Sequence, residues 1–427
     1  MYDKLNGNGI SRRSFIKTSA AISLGAMSLM QKNVYAAGSD KIRVGVIGCG
    51  GRGTGAALDC VHSSENVEIV ALADLFQDRV DSSLAALSMD VDDKVSVTRE
   101  TCFAGFDAYQ KLLQCDLDMV ILAAPPHFRP IHLKAAIEAG KHVFMEKPVA
   151  VDPIGVRSVI ASSQLATEKN LCIVAGTQRR HQEMYLEIMN RIKDGAIGDI
   201  VSAQCYWNGG ELWHHERLPH WSDMEYQCRN WLYYTWLSGD HIVEQHVHNI
   251  DIVNWAIGAT PERCYGMGGR QVRTDEKWGN IYDHFCVDFV YPNDVHVMST
   301  CRQTNGCTDQ IAERIVGTKG YAYMEGPTAV IEGAKPYKFE KVERNPYEQE
   351  HADLIAAIRG GEYINEARRV AESTLSAIMG RMSTYTGRAL KWDWAINTSQ
   401  LDLSPQAYDF VELPVAPVAI PGQTQLV

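Results

Sequence analysis

A glycine-rich turn placed directly after an apolar stretch limits the fold of this chain more than any other part of its sequence. Residues 42–47 are mostly apolar, and Gly48, Gly50 and Gly53 follow with the spacing Gly-x-Gly-x-x-Gly. In a dinucleotide-binding Rossmann domain, such glycines allow a tight strand-to-helix turn, close approach of a pyrophosphate and close helix–strand packing. The sequence therefore predicts an α/β fold that begins with a doubly wound parallel sheet.

A second apolar segment, Val67–Ala73, leads into Asp74, which stands about twenty residues after the last glycine of the turn. An acidic side chain at this position binds the ribose hydroxyls of NAD and repels the 2′-phosphate of NADP. We therefore expect NAD as the cofactor, bound by the three glycines, by Gly51 and Arg52 between them, and by Asp74. Arg79, one helical turn later, leaves the choice between NAD and NADP open.

Two later apolar strands are expected to end at the same edge of this sheet. Met119–Ala124 is stopped by a proline, and His142–Met145 is followed by Glu146 and Lys147. Parallel sheets bind ligands beyond the carboxyl ends of their strands, so these ends should line one crevice with the glycine turn. Four further residues are therefore expected at the cofactor site, namely Pro125, His127, Glu146 and Lys147.

The first 36 residues have the pattern of an export signal. Arg12 and Arg13 precede a short stretch of mostly small and apolar residues, Thr18–Met30, and Ala36 closes an acceptable cleavage site. The apolar stretch is too short to span a membrane as a helix. We expect a twin-arginine signal peptide over residues 1–36, export to the periplasm and no membrane anchor. Because the periplasm offers no useful pool of NAD, we infer that NAD is tightly bound and returns to its starting state in each cycle.

A chain of 427 residues is too long for one ordinary core, which favours two domains. We predict a Rossmann domain over residues 40–175, a substrate-binding and oligomerisation domain over 176–400, and an extended C-terminal tail over 401–427. This tail should lie on a protein surface, with that of a neighbouring subunit as one candidate.

Charge and cysteine content exclude several classes of partner. Residues 1–36 carry a net charge of +4, and without them the formal net charge falls from −11 to −15. Such an acidic protein is not expected to bind nucleic acid or anionic membranes. Eleven cysteines without a Cys-x-x-Cys motif predict neither a disulfide framework nor a zinc site.

The second half of the chain has longer, amphipathic strand patterns, for example Ile200–Trp207 and His284–Tyr291. These predict a large open, mainly antiparallel sheet with helices on one face. From position 207 to position 237 the chain holds five tryptophans and three tyrosines among polar residues. Flat rings beside polar groups are typical of carbohydrate pockets, although aromatic side chains also pack ordinary loops. The expected substrate ligands from this stretch are Trp207, Asn208 and Trp231.

NAD-dependent oxidation of a secondary alcohol needs a base for the hydroxyl proton and a cation for the developing alkoxide. Lys147 suits the cationic role because it follows a strand beside the expected nicotinamide position. In a helix predicted over Gly239–Ile257, Glu244, His248 and Asp251 share one face. We expect His248 to be the base, with Glu244 orienting its imidazole and raising its basicity.

Two other interpretations of this helix stay open. His241, Glu244, His246 and His248 have spacings found among metal ligands, although on one helix His246 and His248 point in different directions. Alternatively, His248 is a structural histidine whose hydrogen bonds are satisfied inside the fold. We expect no metal at this site.

In combination, the glycine turn, Asp74, the Glu146-Lys147-Pro148 segment and the helix with Glu244 and His248 resemble the glucose–fructose oxidoreductase, inositol dehydrogenase and rhizopine catabolism (Gfo/Idh/MocA) family. The resemblance covers essentially all of the chain after the signal. It implies an N-terminal Rossmann domain and a C-terminal α/β domain whose large open sheet often mediates dimer or tetramer formation. It also implies a catalytic lysine and histidine at Lys147 and His248, and the family commonly has aspartate where this chain has Glu244.

The resemblance also bears on substrate and reaction. Gly176–His181 is similar to the segment that begins the second domain, which implies substrate contacts for Arg180 and His181; Asp240 and His241 are expected there as well. The implied reaction is oxidation of a sugar or glycoside hydroxyl, with the bound cofactor regenerated by a second carbonyl substrate. A redox-assisted glycosidase, as in the family's α-N-acetylgalactosaminidase branch, is the alternative, and a sugar-binding protein with structural NAD is a third. A homodimer or homotetramer is expected.

Overall fold

Two β-sheets organise residues 40–427, the part of the chain that the computed structural model describes. The first sheet has six strands and the second has nine. The signal peptide predicted over residues 1–36 lies outside the described residues and stays a prediction. Within residues 40–427, no helix is both long enough and apolar enough to cross a membrane.

The first sheet is parallel, with the strand order β3-β2-β1-β4-β5-β6. Its strands are β1 (Ile42–Ile47), β2 (Val67–Asp74), β3 (Cys102–Ala104), β4 (Met119–Leu122), β5 (His142–Met145) and β6 (Ile173–Ala175). The helices of this half are α1 (Gly51–Ser63), α2 (Gln77–Val91), α3 (Ala108–Leu112), α4 (Arg129–Glu138) and α5 (Pro153–Glu168). This topology confirms the predicted Rossmann sheet.

Local sequence explains these elements directly. All four side chains of β4 are buried, because helices cover both faces of a parallel sheet and its central strands are therefore apolar throughout. Asp152 caps α5 by accepting a hydrogen bond from the Gly155 N–H (2.7 Å), and Pro153 occupies the first turn.

The second sheet has the strand order β14-β13-β12-β11-β7-β10-β9-β8-β15. Its strands are β7 (Ile200–Gly209), β8 (Arg263–Gly269), β9 (His284–Tyr291), β10 (Val295–Gln303), β11 (Gln310–Gly317), β12 (Gly320–Glu325), β13 (Thr328–Gly333), β14 (Tyr337–Lys338) and β15 (Leu390–Lys391). Among these described strands, β7 and β10 pair in parallel and the other neighbours are antiparallel. The predicted open, mainly antiparallel sheet is confirmed.

Helices of the second half cover one face of this sheet and also reach the first. They are α6 (Glu183–Lys193), α7 (Asp223–Arg229), α8 (Thr235–Ser238), α9 (His241–Glu244), α10 (Val247–Ile257), α11 (Pro346–Ile358), α12 (Ala367–Thr386) and α13 (Trp392–Asn397). The largely buried helix α12 packs on β8 and β9, and α10 packs on β7 and β11. Helix α11 instead packs on α1, where Leu354 and Ile355 join the apolar core of the first sheet.

The opposite face of the nine-stranded sheet is open. Cross-strand register places Tyr265, Asp288, Met298 and Gln204 side by side in one row. Tyr265 is 48% exposed, Met298 is 41% exposed, and Met267 on the neighbouring row is 71% exposed. Large apolar side chains that are grouped on a surface mark an interaction site.

The helix predicted over Gly239–Ile257 is broken in the structure. Helix α9 ends at Glu244, and α10 begins at Val247, with Gln245 and His246 between them. The expectation that Glu244, His248 and Asp251 share one continuous helical face is therefore wrong.

The tail predicted over residues 401–427 lies against the surface of its own chain. The Tyr408 hydroxyl lies 2.8 Å from Nε2 of His127, in the loop after β4. Further along, the Tyr282 hydroxyl donates to the Ala419 carbonyl oxygen (2.8 Å). These bonds attach the tail to both halves of the protein.

Candidate active site

A cavity of about 450 Å³ lies at the carboxyl ends of β1, β2 and β4. One wall is the crevice expected of a Rossmann sheet, and a second wall comes from residues 213–231. The lining residues include Gly48, Gly50, Gly51, Arg52, Gly53, Asp74, Phe76, Arg79, Phe106, Pro125, Phe128, Trp213, His215, Cys228, Arg229 and Trp231.

The glycine turn has the shape that a dinucleotide pyrophosphate requires. Gly48 has a φ of +101°, and a Cβ on Gly53 would lie 1.7 Å from the Gly48 carbonyl oxygen. A Cβ on Gly50 would point into open space, with no atom within 4 Å. Helix α1 begins there and directs its first N–H groups toward that space. The residues present therefore fit the phosphates of the cofactor.

Asp74 ends β2 with a carboxylate that backbone groups hold in place. Its Oδ2 accepts a hydrogen bond from the Cys49 N–H (2.7 Å), and its Oδ1 accepts one from the Phe76 N–H (2.9 Å). Burial raises the pKa of Asp74, and the two N–H groups oppose that rise. Each oxygen keeps a lone pair for a ribose hydroxyl. Arg79 lies 3.5 Å from Nε2 of His215 in the same cavity, so the preference for NAD over NADP stays a prediction.

Arg52 and Glu146, both expected at the cofactor, bind each other. Nε of Arg52 lies 3.0 Å from Oε1 of Glu146, and its Nη2 lies 2.6 Å from the Asp59 carboxylate. Burial raises the pKa of Glu146, while Arg52 and Lys147 oppose that rise. Gly176 leaves room for this carboxylate, because a Cβ there would lie 2.4 Å from Oε2 of Glu146. The ion pair thus joins the phosphate turn to the strand end that carries Lys147.

The loop after β4 places Pro125 in the cavity wall and His127 behind it. The buried His127 ring stands edge-on to Trp236, with their centroids 5.0 Å apart, and bonds to the Tyr408 hydroxyl. Burial lowers the pKa of His127 to about 4, so its ring is neutral at physiological pH. His127 connects this loop with the tail, and its contact with the cofactor stays a prediction.

Lys147 follows β5 and is held by Glu244. Its Nζ donates one hydrogen bond to Oε1 of Glu244 (3.0 Å) and another to the Glu244 carbonyl oxygen. The two side chains are only 12% and 14% exposed. The Lys147–Pro148 peptide bond is cis. Hydrogen bonds between charged groups are strong and directional, so this contact fixes the position of the ammonium group.

His248 is buried behind Trp207, whose ring lies nearly parallel to the imidazole with their centroids 5.7 Å apart. Burial lowers the pKa of His248 well below its usual value, and the nearby cations Lys147 and Arg179 lower it further. The expectation that Glu244 raises the basicity of His248 is therefore wrong, because the Glu244 carboxylate hydrogen-bonds Lys147 instead. At neutral pH the imidazole is uncharged and can accept a proton.

The tryptophans predicted as substrate ligands from residues 207–237 lie at two separate sites, one beside His248 and one in the wall of the dinucleotide cavity. Trp207 and Asn208 belong to β7, and Trp207 contacts His248. Trp231 instead lines the dinucleotide cavity, beside Arg229 and Cys228 of α7. Trp231 is therefore placed to contact a nucleotide, and Trp207 lies beside His248. Asn208, the next residue of β7, points to the opposite face of the sheet, so its contact with substrate finds no support in the structure.

Asp240 and His241 lie inside the protein, which does not support their predicted contact with substrate. The carboxylate of Asp240 accepts hydrogen bonds from the N–H of His241 (2.6 Å), the N–H of Tyr282 (2.8 Å) and the Tyr385 hydroxyl. Asp240 is fully buried with a φ of +74°, a strained value for a residue other than glycine. This network holds the start of α9 against α12.

Arg180 and His181 are engaged in buried ion pairs rather than directed at an open site. Arg180 donates two hydrogen bonds to the carboxylate of Asp251, at 2.7 and 2.9 Å. Nδ1 of His181 lies 2.6 Å from Asp353, and its Nε2 lies 3.5 Å from Glu366. These pairs tie the start of the second half to α10, α11 and α12, which favours a structural role for both residues.

The His181 cluster predicts a pH effect on stability. Burial alone would lower the pKa of His181, but hydrogen bonds to Asp353 and Glu366 raise it to about 9. Stabilisation from a raised histidine pKa is fully present below the unfolded value of about 6.5 and is lost as pH rises through the folded value. We expect the melting temperature to fall between pH 6.5 and pH 9, because the free energy of unfolding loses up to about 3 kcal/mol over this range. In His181→Asn the melting temperature should fall less over the same range. Equal slopes in both proteins, measured by thermal unfolding, would contradict this.

The metal-ligand interpretation finds no geometric support among residues 40–427, where no group of three or more His, Cys, Asp or Glu side chains is arranged around a common point. Nε2 of His246 lies 2.7 Å from the Ser299 hydroxyl, and Nδ1 of His241 lies 3.0 Å from the Asp240 carboxylate. These histidines therefore have other partners.

Two groups of residues near the site were not predicted from the sequence. Phe76, Phe106 and Phe128 form an aromatic wall of the cavity, but they come from three separate loops that no motif connects. The buried pair Arg179–Glu313 lies near His248, and Glu313 also accepts a hydrogen bond from the Tyr185 hydroxyl (3.1 Å). A signal for Arg179 existed, because it stands beside Arg180 in the Gly-Thr-Gln-Arg-Arg-His segment.

Comparison with protein families agrees with this architecture. The sequence profile described as "Oxidoreductase family, NAD-binding Rossmann fold" matches residues 42–177. The profile described as "GFO/IDH/MocA C-terminal domain" matches residues 185–323. Together the two matches span well over half of the chain.

Curated relatives share about a quarter of the aligned residues. A "Glycosyl hydrolase family 109 protein" from Shewanella sp. (strain W3-18-1) is 25% identical over 234 residues, which is 50% of this chain and 49% of the relative. A "2,7-anhydro-N-acetylneuraminate hydratase" from Escherichia coli (strain K12) is 26% identical over 219 residues, 51% of this chain and 55% of the relative. The chain thus spans about half the length of the curated relatives it matches.

Solved structures show the same fold at low sequence identity. An aldose-aldose oxidoreductase from Caulobacter crescentus has a TM-score of 0.65 at 16% identity, covering 82% of this chain and 99% of that chain. A scyllo-inositol dehydrogenase from Lactobacillus casei has a TM-score of 0.63 at 16% identity, covering 82% of this chain and 98% of that chain.

Proposed function

Because the chain belongs to the Gfo/Idh/MocA oxidoreductase family, we propose that it is an NAD-dependent enzyme that oxidises a hydroxyl group of a sugar or glycoside. The observation that carries this proposal is the position of Lys147, which follows β5 in the sheet whose crevice fits a dinucleotide and is held by Glu244, four residues before His248. Glu244 holds the ammonium group of Lys147, and Lys147 is near enough to His248 to lower the pKa of its imidazole.

The described residues divide the chemistry between them. Bound NAD supplies the acceptor for the hydride that leaves the alcohol carbon. The neutral imidazole of His248 takes the proton of the substrate hydroxyl, and Lys147 stabilises the negative charge that develops on its oxygen. Trp207, beside His248, offers a flat apolar surface for one face of a sugar ring.

Export to the periplasm and retention of the cofactor through each cycle are part of the proposal. The paired Arg12 and Arg13 before a short apolar stretch support export. The names of the curated relatives, a hydrolase and a hydratase, support retention, because neither hydrolysis nor hydration is a net oxidation. A cofactor that returns to its starting state needs no external pool.

A second candidate is glycoside cleavage assisted by transient oxidation, which the glycosyl hydrolase family 109 relatives favour. Oxidation of a ring hydroxyl acidifies the neighbouring C–H bond, and loss of that proton expels the aglycone. Water then adds to the double bond, and return of the hydride to the ring carbonyl ends the cycle. His248 and Lys147 would serve the oxidation and the final reduction in the same way.

One set of assays tests the proposal and separates the candidates. Protein purified without added nucleotide is denatured, and the supernatant is assayed for NAD(H). Sugars and nitrophenyl glycosides are then supplied while the absorbance of bound NADH and of nitrophenol is followed. Bound NADH that is reoxidised by a second carbonyl compound supports the oxidoreductase, whereas nitrophenol release without that compound supports the glycosidase. Absence of both nucleotide and turnover would overturn the proposal.

Self-association through the open sheet is also proposed, with a second copy of this chain as the partner. The exposed row with Tyr265 and Met298 would be buried in such a dimer. Met298→Asp should then shift the protein toward a single subunit in sedimentation or size-exclusion experiments. Met89→Asp is the matched control, because Met89 is 84% exposed on α2, away from this sheet. An unchanged mass for Met298→Asp would contradict the proposal.

A further inference from the structure

The adenosine end of the dinucleotide cavity is closed by residues from outside the Rossmann sheet. Asp74 marks the ribose position, and Phe76 and Phe106 line the cavity next to it. Trp213, His215 and Trp231 contribute the facing wall, although they follow the first sheet in sequence by some distance. A nucleoside bound at Asp74 would therefore be covered from both sides.

The C-terminal tail forms a second layer outside this aromatic wall. The ring of Phe410 lies 5.4 Å from that of Phe106 and 6.0 Å from that of Phe76, measured between centroids. Tyr408 adds a ring contact with Phe106 at 6.0 Å and the hydrogen bond to His127. The tail thus supports the cavity side chains from behind.

The same stretch of tail is fastened to α7 on the other wall. The N–H of Met224 donates to the Val411 carbonyl oxygen (3.2 Å), and the N–H of Leu413 donates to the carboxylate of Asp223 (3.1 Å). The side-chain amide of Gln227 donates to the Leu413 carbonyl oxygen (2.6 Å). Residues 408–413, here called the C-terminal clip, therefore connect the aromatic side chains of the Rossmann wall with α7, outside the side chains that line the cavity.

Arg229 adds a parallel connection between the two walls. Its guanidinium donates two hydrogen bonds of 3.0 Å to the carboxylate of Asp78 on α2 and lies over the Phe76 ring at 3.9 Å. Helix α7 is therefore held to the first sheet on the side that Asp74 occupies. The Arg229 contacts and the clip therefore each oppose separation of the two walls.

We propose that the C-terminal clip retains the cofactor by holding the adenosine end of the cavity closed. This inference rests on the proposed NAD dependence and adds to it the segment that makes release slow. Loss of the clip would leave the phosphate turn and Lys147 intact. It should therefore weaken binding of the adenosine half of NAD and leave binding of the nicotinamide half unchanged. Loss of two aromatic ring contacts of this kind changes a dissociation constant or a dissociation rate constant by about tenfold.

The test compares the double variant Tyr408→Ala/Phe410→Ala with the unmodified protein. Both side chains are partly exposed, at 38% and 42%, so their loss leaves the buried cores intact. The dissociation rate of NAD is measured by displacement with a fluorescent etheno-adenine NAD, and affinities are measured for ADP-ribose and for nicotinamide mononucleotide. We expect NAD to dissociate about tenfold faster or more, ADP-ribose to bind more weakly, and nicotinamide mononucleotide to bind as before.

Control variants keep this outcome interpretable. Val415→Ala removes an exposed apolar side chain just beyond the clip and should leave all three measurements unchanged. If the double variant fails to fold, Tyr408→Phe, which keeps the ring and removes the hydroxyl that bonds to His127, is measured in the same way. An unchanged NAD dissociation rate, or equal weakening for ADP-ribose and nicotinamide mononucleotide, would overturn the role of the clip. Failure of the unmodified protein to bind NAD and ADP-ribose would overturn the proposed function itself.

Discussion

His248→Asn is expected to lower kcat by about 10²- to 10⁴-fold while the protein keeps its bound dinucleotide. In the proposed mechanism the imidazole takes the hydroxyl proton, and the amide of asparagine cannot do so at neutral pH. Lys147→Met should cause a loss in the same range, because it removes the charge that stabilises the developing alkoxide and keeps most of the apolar stem. The glycine turn and Asp74, which are expected to hold the pyrophosphate and the ribose, are unchanged in both variants, so binding of NAD should persist.

Steady-state kinetics and nucleotide content after gel filtration check this result. The matched controls are His220→Asn and Lys134→Met, whose side chains are exposed to solvent and are not among the residues assigned to the site. Both controls should retain full activity. Turnover at the unmodified rate in His248→Asn would remove His248 as the base, and loss of nucleotide in that variant would indicate a structural role instead.

The pH profile of kcat/KM follows from the same geometry. Burial and then Lys147 lower the pKa of His248, so the acid limb of the profile should lie below pH 6.5, the usual histidine value. Lys147→Met removes the positive charge that helps to lower the pKa of His248. The acid limb of the activity that remains in this variant should therefore move to higher pH. An acid limb at pH 6.5 in both proteins would contradict this assignment.

Gly50→Ala should weaken NAD binding by about 10- to 100-fold without altering the stability of the nucleotide-free protein. Gly50 has a φ of −75°, which alanine adopts without strain, and a Cβ there meets no atom within 4 Å. The added methyl group therefore occupies only the space that the pyrophosphate needs. Calorimetric titration with NAD and thermal unfolding without nucleotide measure the two effects separately.

Gly53→Ala provides the contrasting variant. A Cβ at Gly53 would lie 1.7 Å from the Gly48 carbonyl oxygen, so the loop must shift even when no ligand is present. We expect a lower melting temperature together with lost NAD binding. Equal loss of stability in Gly50→Ala and Gly53→Ala, or unchanged affinity in Gly50→Ala, would contradict the assignment of this turn.

The sequence predicted the two sheets well because their strands have simple burial patterns. Residues 142–145 and 284–291 form strands with the predicted bounds, the first as a continuous apolar run and the second by alternation. The broken helix at Glu244 could not be predicted in this way. The Glu244 side chain bonds to Lys147, which is 97 residues away in the sequence. The periodicity of apolar residues contains no information about such a distant contact.

Only part of the candidate site could be predicted, because local sequence patterns do not report contacts between distant residues. Motifs located the glycine turn, Asp74, Lys147 and His248, because each of these positions is defined by a strand end or a short spacing. The aromatic stretch gave no such position, since a tryptophan pattern indicates flat apolar surface but not the ligand that it faces. Trp231 accordingly lies at the nucleotide cavity, and the tail that supports this cavity has no motif at all.

Helix α11 has a consequence for how this architecture can be divided. Leu354 and Ile355 complete the core of the first sheet although they follow it by almost two hundred positions in the chain. A fragment that stops at residue 175 would leave that side of α1 uncovered and would lack autonomy as a folding module. Exchange of the nucleotide-binding half between homologues would therefore have to carry residues 346–358 along with it.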